Sequence, residues 1–136
     1  MAITEARVAP VEVARARARV LVVDDHSLLR RGVANIINQE ADLEVVAEAA
    51  NGRDGVEAFR AHRPDVTLMD LRMPEMNGLD AMVAIRNEFP DAKIIVLTTY
   101  ESDVQDAMKL GARAYLLKTH LDKELLPTIR AVQGGK

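Results

Sequence analysis

The sequence predicts an α/β fold in which five parallel strands form one sheet with helices on both faces. Short apolar runs of strand length alternate with longer segments in which apolar residues recur at helical spacing. The loops between these segments are short, as βαβ units require. Right-handed crossovers leave few topologies. Five strands and five helices in about 120 residues fit the flavodoxin-like, doubly wound (βα)5 three-layer sandwich, with strand order 2-1-3-4-5.

Five runs of residues are predicted as strands. Most of them are largely apolar, and the first is rich in β-branched residues. The second alternates apolar residues with Glu44 and Glu48, so one of its faces should be less buried. The predicted strands are 19–23, 43–49, 66–69, 93–97 and 114–117.

Five helices are predicted from the spacing of apolar residues. The first begins near Asp25 or Ser27, either of which is suited to cap it. The fourth runs to Gly111, a typical residue just past a helix end. Pro127 lies inside the last helix, where proline costs about 3 kcal/mol or kinks the helix, so a local distortion is expected. The apolar positions are Leu28, Leu29, Val33, Ile36 and Ile37; Val56 and Phe59; Leu79, Met82, Val83 and Ile85; Val104, Ala107 and Met108; and Leu121, Leu125, Ile129 and Val132.

The composition is that of a globular domain and narrows the classes of function. With 136 residues, 49% of them hydrophobic, the chain is long enough for one domain with its own core. The net charge of −3 argues against direct nucleic-acid binding by this segment through its overall field. The absence of cysteine excludes disulfides and thiolate metal sites. No apolar run approaches 18 residues, so no membrane span is predicted.

Polar residues that could take part in catalysis or ligand binding follow four of the predicted strands. They are Asp24 and Asp25 after the first, Asp70 after the third, Thr98 after the fourth and Lys118 after the fifth. In a parallel sheet these strand ends lie on one edge, where open α/β sheets bind their ligands. One acid at a strand end is usually a helix cap. Agreement at four strand ends predicts a functional site.

The convergence of three carboxylates suggests a metal and a reaction. Carboxylates held together repel one another, and burial raises the cost of their charge. A few carboxylates with waters at an open site suit Mg²⁺. With an ammonium and a hydroxyl opposite, they form a receptor for a phosphoryl group that a carboxylate can attack. The histidines are scattered, which disfavours a zinc site: His26 is expected at the start of the first helix, and His62 and His120 on the surface. Arg30 and Arg31 are expected on a solvated helix face.

These residues resemble the receiver domain of two-component response regulators. The matching motifs are Asp24-Asp25-His26, Asp70 to Pro74 with Gly78, Thr98-Thr99 and Lys118. The segment from Gly111 to Lys118 is similar to the NarL/FixJ branch, whose receivers usually precede a LuxR-type helix-turn-helix domain. The resemblance covers residues 19–133, with a flexible tail expected at 1–18 and the start of a linker at 134–136. Since no output domain follows here, we expect a piece of a longer regulator.

The resemblance implies a role for each matching residue. Asp70 would accept a phosphoryl group from the phosphohistidine of a sensor histidine kinase. Lys118 would pair with the phosphoryl oxygens, and Thr98 would donate a hydrogen bond to one of them. Three groups would ligate Mg²⁺ directly and one through water: Asp25, Asp70 and the backbone carbonyl of Arg72 directly, and Asp24 through water.

The resemblance also implies a switch and an entrance to the site. Tyr115 would swing inward when Thr98 moves, which would convert one covalent change into a change of surface. Thr99, being small, would leave the phosphoryl site accessible. Arg72 and Tyr100 are large and are expected at the mouth of the site. We hypothesise that they hinder the hydrolytic water and set the lifetime of the phosphorylated form.

The predicted function is a phosphorylation-activated signalling switch in the cytoplasm that controls a transcriptional output domain. It would catalyse only its own phosphorylation and dephosphorylation. A homodimer through the first and last helices is a further hypothesis, which monomeric light scattering with and without beryllofluoride would contradict. One alternative is a receiver-like interaction module that acts without phosphorylation, but the complete set of site residues disfavours it. Another is a phosphatase of haloacid-dehalogenase type, disfavoured because Arg72 stands where a second Asp is required.

Overall fold

The computed structural model describes residues 16–135, and its elements follow the predicted order. The strands are β1 (Ala18–Val23), β2 (Leu43–Ala49), β3 (Val66–Asp70), β4 (Ile94–Thr98) and β5 (Ala114–Leu117). The helices are α1 (Ser27–Asn38), α2 (Gly52–His62), α3 (Gly78–Glu88), α4 (Val104–Lys109) and α5 (Leu121–Gly134). Short 3₁₀ turns, Glu101–Asp103 and Lys118–His120, lead into α4 and α5. The predicted tail falls mostly outside the described residues.

The five strands form one parallel sheet in the order β2-β1-β3-β4-β5. This confirms the predicted order 2-1-3-4-5 and the flavodoxin-like topology. Near the carboxyl ends of the strands, Asp70 pairs with Leu97 and Thr98 pairs with Leu117. The register therefore brings the ends of the central strands to one edge of the sheet.

Helices cover both faces of the sheet, which confirms the three-layer sandwich. On one face, α1 and α5 bury apolar side chains against the sheet; these are Val33, Ile37, Leu121, Leu125 and Ile129. On the other face, α2, α3 and α4 do so through Val56, Phe59, Ala81, Met82, Ile85 and Ala107. Strand β2 lies at the edge of the sheet and is only partly buried over most of its length, as its alternating sequence predicted.

The ends of the helices show which capping predictions hold. His26 is the N-cap residue of α1, and no side chain caps that helix, so the prediction of Asp25 or Ser27 as its cap is wrong. The side chain of Asp24 instead accepts a hydrogen bond from the backbone N–H of His26 at 2.9 Å. Gly111 follows the end of α4 with φ of 104°, a conformation that glycine adopts without strain, which confirms its predicted place.

Helix α5 runs without interruption through Pro127. Proline removes one backbone hydrogen bond, and at this exposed position water can satisfy the carbonyl group left free. At the end of the helix, Lys93 Nζ donates to the carbonyl oxygens of Gln133 and Gly135, each at 3.3 Å. Within residues 16–135, no helix is both long enough and apolar enough to cross a bilayer.

Candidate functional site

Three polar side chains are buried at the carboxyl edge of the sheet. Asp24, Asp70 and Thr98 are only 1%, 3% and 2% exposed. Asp24 directly follows β1, Asp70 ends β3 and Thr98 ends β4. Buried polar groups are costly unless they are paired, so three of them together at one edge mark this place as more than a structural core.

Lys118 lies between the two buried carboxylates. Its Nζ atom is 3.1 Å from Asp24 Oδ2 and 3.3 Å from Asp70 Oδ1. The lysine side chain is itself only 11% exposed. Asp25 stands beside this pair and is more open, with 30% of its side chain exposed. The structure thus brings together the carboxylates and the ammonium group that the strand ends predicted.

The buried carboxylate of Asp70 is short of compensating positive charge. Its Oδ2 atom is buried and has no hydrogen-bond partner. Burial, reinforced by the negative charge of Asp24, raises the pKa of Asp70 from 3.8 to about 6, although Lys118 acts in the opposite direction. One oxygen or nitrogen atom from each of Asp24, Asp25, His26 and Asp70 lies within 4.8 Å of the others. A divalent cation fits this donor set and its charge.

His26 lies at the start of α1, as predicted, but it also lies among the carboxylates, so the expectation that the histidines are scattered is wrong for this one. Its Nδ1 atom is 3.1 Å from Asp24 Oδ1 and 3.4 Å from Asp25 Oδ1. The same nitrogen is 3.3 Å from Lys118 Nζ. The sequence held a signal for this place, because His26 directly follows the two aspartates. His62 and His120 are exposed, as predicted.

Arg30 supports the site from helix α1, although a solvated position was predicted for it. Its side chain is only 15% exposed, and Nη1 donates to the backbone oxygen of Asp24 at 2.7 Å. Its Nε atom donates to Glu48 at 3.0 Å. Arg31 does face solvent, with 70% of its side chain exposed. The contact of Arg30 depends on how α1 is rotated against the sheet, and sequence spacing alone does not fix that rotation.

The Thr98 hydroxyl is occupied by the backbone of the following loop. It accepts a hydrogen bond from the Tyr100 N–H at 3.0 Å and donates one to the Tyr100 carbonyl oxygen at 3.1 Å. Thr99 is exposed beside it. Tyr115 is 43% exposed and lines a groove of about 310 Å³ with residues of the 3₁₀ turn and α4. Tyr115 therefore does not fill the core in this state.

Arg72, in the loop after β3, contacts residues that follow β4. Its guanidinium donates to Asp103 through Nε at 2.9 Å and Nη2 at 3.1 Å, a bidentate pair. The same guanidinium lies over the ring of Tyr100, 4.6 Å from its centre. We call Arg72, Tyr100 and Asp103 the clasp. The sequence indicated the two large side chains but not Asp103, because that contact joins two loops whose paths the sequence does not fix.

The fold and the site together define a class of protein. It is an α/β domain whose acidic edge, with one lysine and one threonine, lies at the carboxyl ends of a 2-1-3-4-5 sheet. The response regulator receiver domain model matches residues 20–130, and the chain belongs to that family. Receiver domains serve two-component signalling, in which they interact with histidine kinases and bind Mg²⁺ at an acidic pocket.

Curated relatives place the chain near regulators of the NarL type. It is 39% identical over 121 residues to the nitrate/nitrite response regulator protein NarL of Escherichia coli K12, covering 88% of this chain and 56% of that protein. It is 42% identical over 120 residues to the transcriptional regulatory protein LiaR of Bacillus subtilis, covering 87% and 57%. The chain thus spans about half the length of these relatives.

A solved structure of the same kind agrees with the fold throughout. The LuxR-family two-component response regulator of Aurantimonas sp. SI85-9A1 superposes with a TM-score of 0.84 at 32% identity. The match covers 89% of this chain and 88% of that one. The predicted family and its NarL/LuxR branch are therefore confirmed.

Proposed function

We propose that this domain is a switch that accepts a phosphoryl group on Asp70 from a sensor histidine kinase. The observation that carries the proposal is the state of the Asp70 carboxylate. It is buried at a strand end, one oxygen has no partner, and the other lies 3.3 Å from the Lys118 ammonium. A buried carboxylate with a free oxygen is a competent nucleophile, and an ammonium beside it stabilises the negative charge of the incoming group.

The proposed step is a direct transfer. A carboxylate oxygen of Asp70 bonds to phosphorus while the bond from phosphorus to the donor's imidazole nitrogen breaks. The bonding electron pair leaves with the imidazole. Lys118, held beside Asp24 and Asp70, turns its N–H groups to the transferred oxygens. No external substrate is turned over, because the product is the phosphorylated domain itself.

The acidic edge supplies the ligands for the Mg²⁺ that receiver domains use. Asp25, Asp70 and the backbone carbonyl of Arg72 would hold the ion, with Asp24 acting through water. When bound, Mg²⁺ neutralises charge on the phosphoryl oxygens. Arg30 holds the carbonyl of Asp24 at 2.7 Å, and so fixes the backbone that carries two of these aspartates.

The proposed signal leaves the site through Thr98. To bond a phosphoryl oxygen, its hydroxyl must give up its hydrogen bond to the carbonyl oxygen of Tyr100. Movement of that loop opens room beside β5, and Tyr115 turns inward from its exposed position. In a longer chain of the NarL kind, we propose that this change controls a transcriptional output domain, in the cytoplasm.

Phosphoryl uptake by the purified chain tests the function. With Mg²⁺ and acetyl phosphate, intact mass measurement is expected to show one added phosphoryl group. Asp70→Asn should add none, because it lacks the nucleophile. Asp91→Asn, an exposed aspartate far along the sequence in the α3–β4 loop, should add as much as the parent chain. No added mass, or equal mass on Asp70→Asn, would overturn the assignment and favour an interaction module that works without phosphorylation.

The clasp is proposed to set the lifetime of phospho-Asp70. Asp103 holds the Arg72 guanidinium by two hydrogen bonds, and that guanidinium stacks on Tyr100, so the contacts favour one arrangement of both side chains. Removing both in Arg72→Ala/Tyr100→Ala is expected to speed dephosphorylation about fivefold, a loss of about 1 kcal/mol from the barrier. The measurement is the decay of the phosphorylated mass after acetyl phosphate is removed.

Asp103→Asn separates two explanations of such a change. It weakens the anchor while leaving the bulk of Arg72 and Tyr100 in place. A faster decay in this variant too shows that the side chains must be held still to exclude water. Equal decay in the parent chain and in Arg72→Ala/Tyr100→Ala contradicts a role for the clasp in hydrolysis.

A further inference from the structure

We propose that His26 is an additional ligand of the divalent cation, through Nδ1, and that it widens the site's preference toward metals that favour imidazole. The inference rests on the proposed function, since it concerns the same cation site. It adds a residue and a metal preference that the carboxylates alone do not supply.

The place of His26 follows from the turn between β1 and α1. The backbone N–H of His26 donates to Asp24 Oδ1 at 2.9 Å, which fixes the residue at the helix start. The imidazole Nδ1 then lies 3.1 Å from the same oxygen and 3.4 Å from Asp25 Oδ1. The backbone is held at this turn, while the side chain is 66% exposed.

The spacing of these atoms is that of ligands around one ion. Two ligand atoms at about 2.1 Å from a metal and at right angles to each other are about 3.0 Å apart. The distance from Nδ1 to Oδ1 of Asp25, the neighbouring direct ligand, is 3.4 Å, which is close to this value. Asp24 Oδ1, at 3.1 Å from Nδ1, would act through water. One ligand atom of Asp70 completes a set of four within 4.8 Å.

An independent observation is that a buried oxygen of the set has no hydrogen-bond donor. The side chain of Asp70 is 5% exposed, and its Oδ2 atom has no hydrogen-bond partner. Three carboxylates converge here, and the one ammonium group within 4.0 Å of them among residues 16–135 is that of Lys118. A buried oxygen without a donor and an excess of negative charge both favour a bound cation.

The chemistry of the donor set decides which cations bind more tightly when His26 is a ligand. Carboxylates and water suit Mg²⁺, whereas imidazole suits the later first-row metals. Nδ1 also lies 3.3 Å from Lys118 Nζ, and in the tautomer that carries the proton on Nε2 it can accept a hydrogen bond from the lysine. Binding a metal at Nδ1 replaces that hydrogen bond with a bond from nitrogen to the metal. This bond is weaker with Mg²⁺ than with Co²⁺.

Calorimetric titration with Mg²⁺ and with Co²⁺ tests the inference. His26→Ala is expected to lose about tenfold or more in Co²⁺ affinity and to change Mg²⁺ affinity by less than about threefold. His26→Asn, which keeps a polar group near the position of Nδ1 but not the imidazole, should behave like His26→Ala. His62→Ala, an exposed histidine outside the acidic edge, serves as the matched control and should match the parent chain.

Visible absorption of the Co²⁺ complex gives a readout that a structural role would not move. The parent chain and His62→Ala should show the same bands, and His26→Ala bands shifted toward oxygen ligation. An unchanged ratio of Co²⁺ to Mg²⁺ affinity in His26→Ala, with unchanged bands, overturns the inference. In that case Mg²⁺ binding that depends on Asp70 still supports the proposed function. If the parent chain binds neither metal, both proposals fail.

Discussion

Asp70→Asn is expected to raise the free energy of unfolding of the metal-free domain by about 2–3 kcal/mol at about pH 7.5. Burial and the charge of Asp24 raise the pKa of Asp70 from 3.8 to about 6, and this figure already includes the opposing attraction of Lys118. The folded protein therefore holds the Asp70 proton more tightly than the unfolded chain does. The asparagine side chain has the same shape and removes the cost of the buried charge.

The pH dependence follows from the direction of the shift. Because the pKa of Asp70 is higher in the folded state, its protonated form favours folding, and that contribution is complete below about pH 4. It is lost as the pH rises through about 6. The difference between the parent chain and Asp70→Asn should therefore be small in acid, grow between these values and level off above them. Urea unfolding curves measured without metal across this range give the difference directly.

Mg²⁺ should reverse the order of the two proteins. At about 1,000 times its dissociation constant, a ligand of the folded state adds about 4.1 kcal/mol of stability. The parent chain should gain this, and Asp70→Asn should gain much less. Asp91→Asn, which changes an exposed aspartate, should follow the parent chain at every pH. A difference between the parent chain and Asp70→Asn that stays constant from acid to neutral pH would show that Asp70 carries no such cost.

The sequence predicted most of the site because topology alone places strand ends. The apolar runs between the helices are expected to be strands of one parallel sheet. Four site residues stand at the ends of these runs: Asp24, Asp70, Thr98 and Lys118. Once the order of strands is set, the topology places these residues together at the carboxyl edge of the sheet. The same reasoning predicted the layers, because the apolar stripes of the helices must cover the sheet.

Contacts that depend on helix rotation or on loop paths were not predictable in this way. Leu28 and Leu29 are adjacent, about 100° apart around α1, and both were assigned to its apolar pattern. In the structure Leu28 is 88% exposed. On the same helix, the side chain of Arg30 turns inward and contacts the backbone of Asp24. No periodic pattern in the sequence distinguishes Arg30 from Arg31. Asp103 reaches Arg72 across 31 positions of sequence, through two loops.

Gly78→Ala is expected to destabilise the domain by about 3 kcal/mol, because it would force a methyl group against the backbone of the strand that carries Asp70. A Cβ atom at this position would lie 2.0 Å from the carbonyl oxygen of Asp70 and 2.7 Å from Leu71 Cα. The Gly78 N–H also donates to the carbonyl oxygen of Leu71 at 2.9 Å, which seats the start of α3 on the end of β3. The sheet and this hydrogen bond hold these backbone atoms in place, so moving them aside would lower the stability of the fold.

Gly32→Ala is the matched control within the same fold. Gly32 lies in α1 with no atom within 4 Å of a Cβ, so alanine there should stabilise the domain by about 0.5–1 kcal/mol. If Gly78→Ala unfolds at the urea concentration of the parent chain, the close approach of α3 to Asp70 is not a constraint. Where Gly78→Ala still folds, phosphoryl uptake from acetyl phosphate should fall about 100-fold, because displacing a reacting group by about 1 Å is enough for such a loss. Gly32→Ala should leave uptake unchanged, so a loss confined to Gly78→Ala would tie the rate to the position of the Asp70 backbone rather than to helix stability.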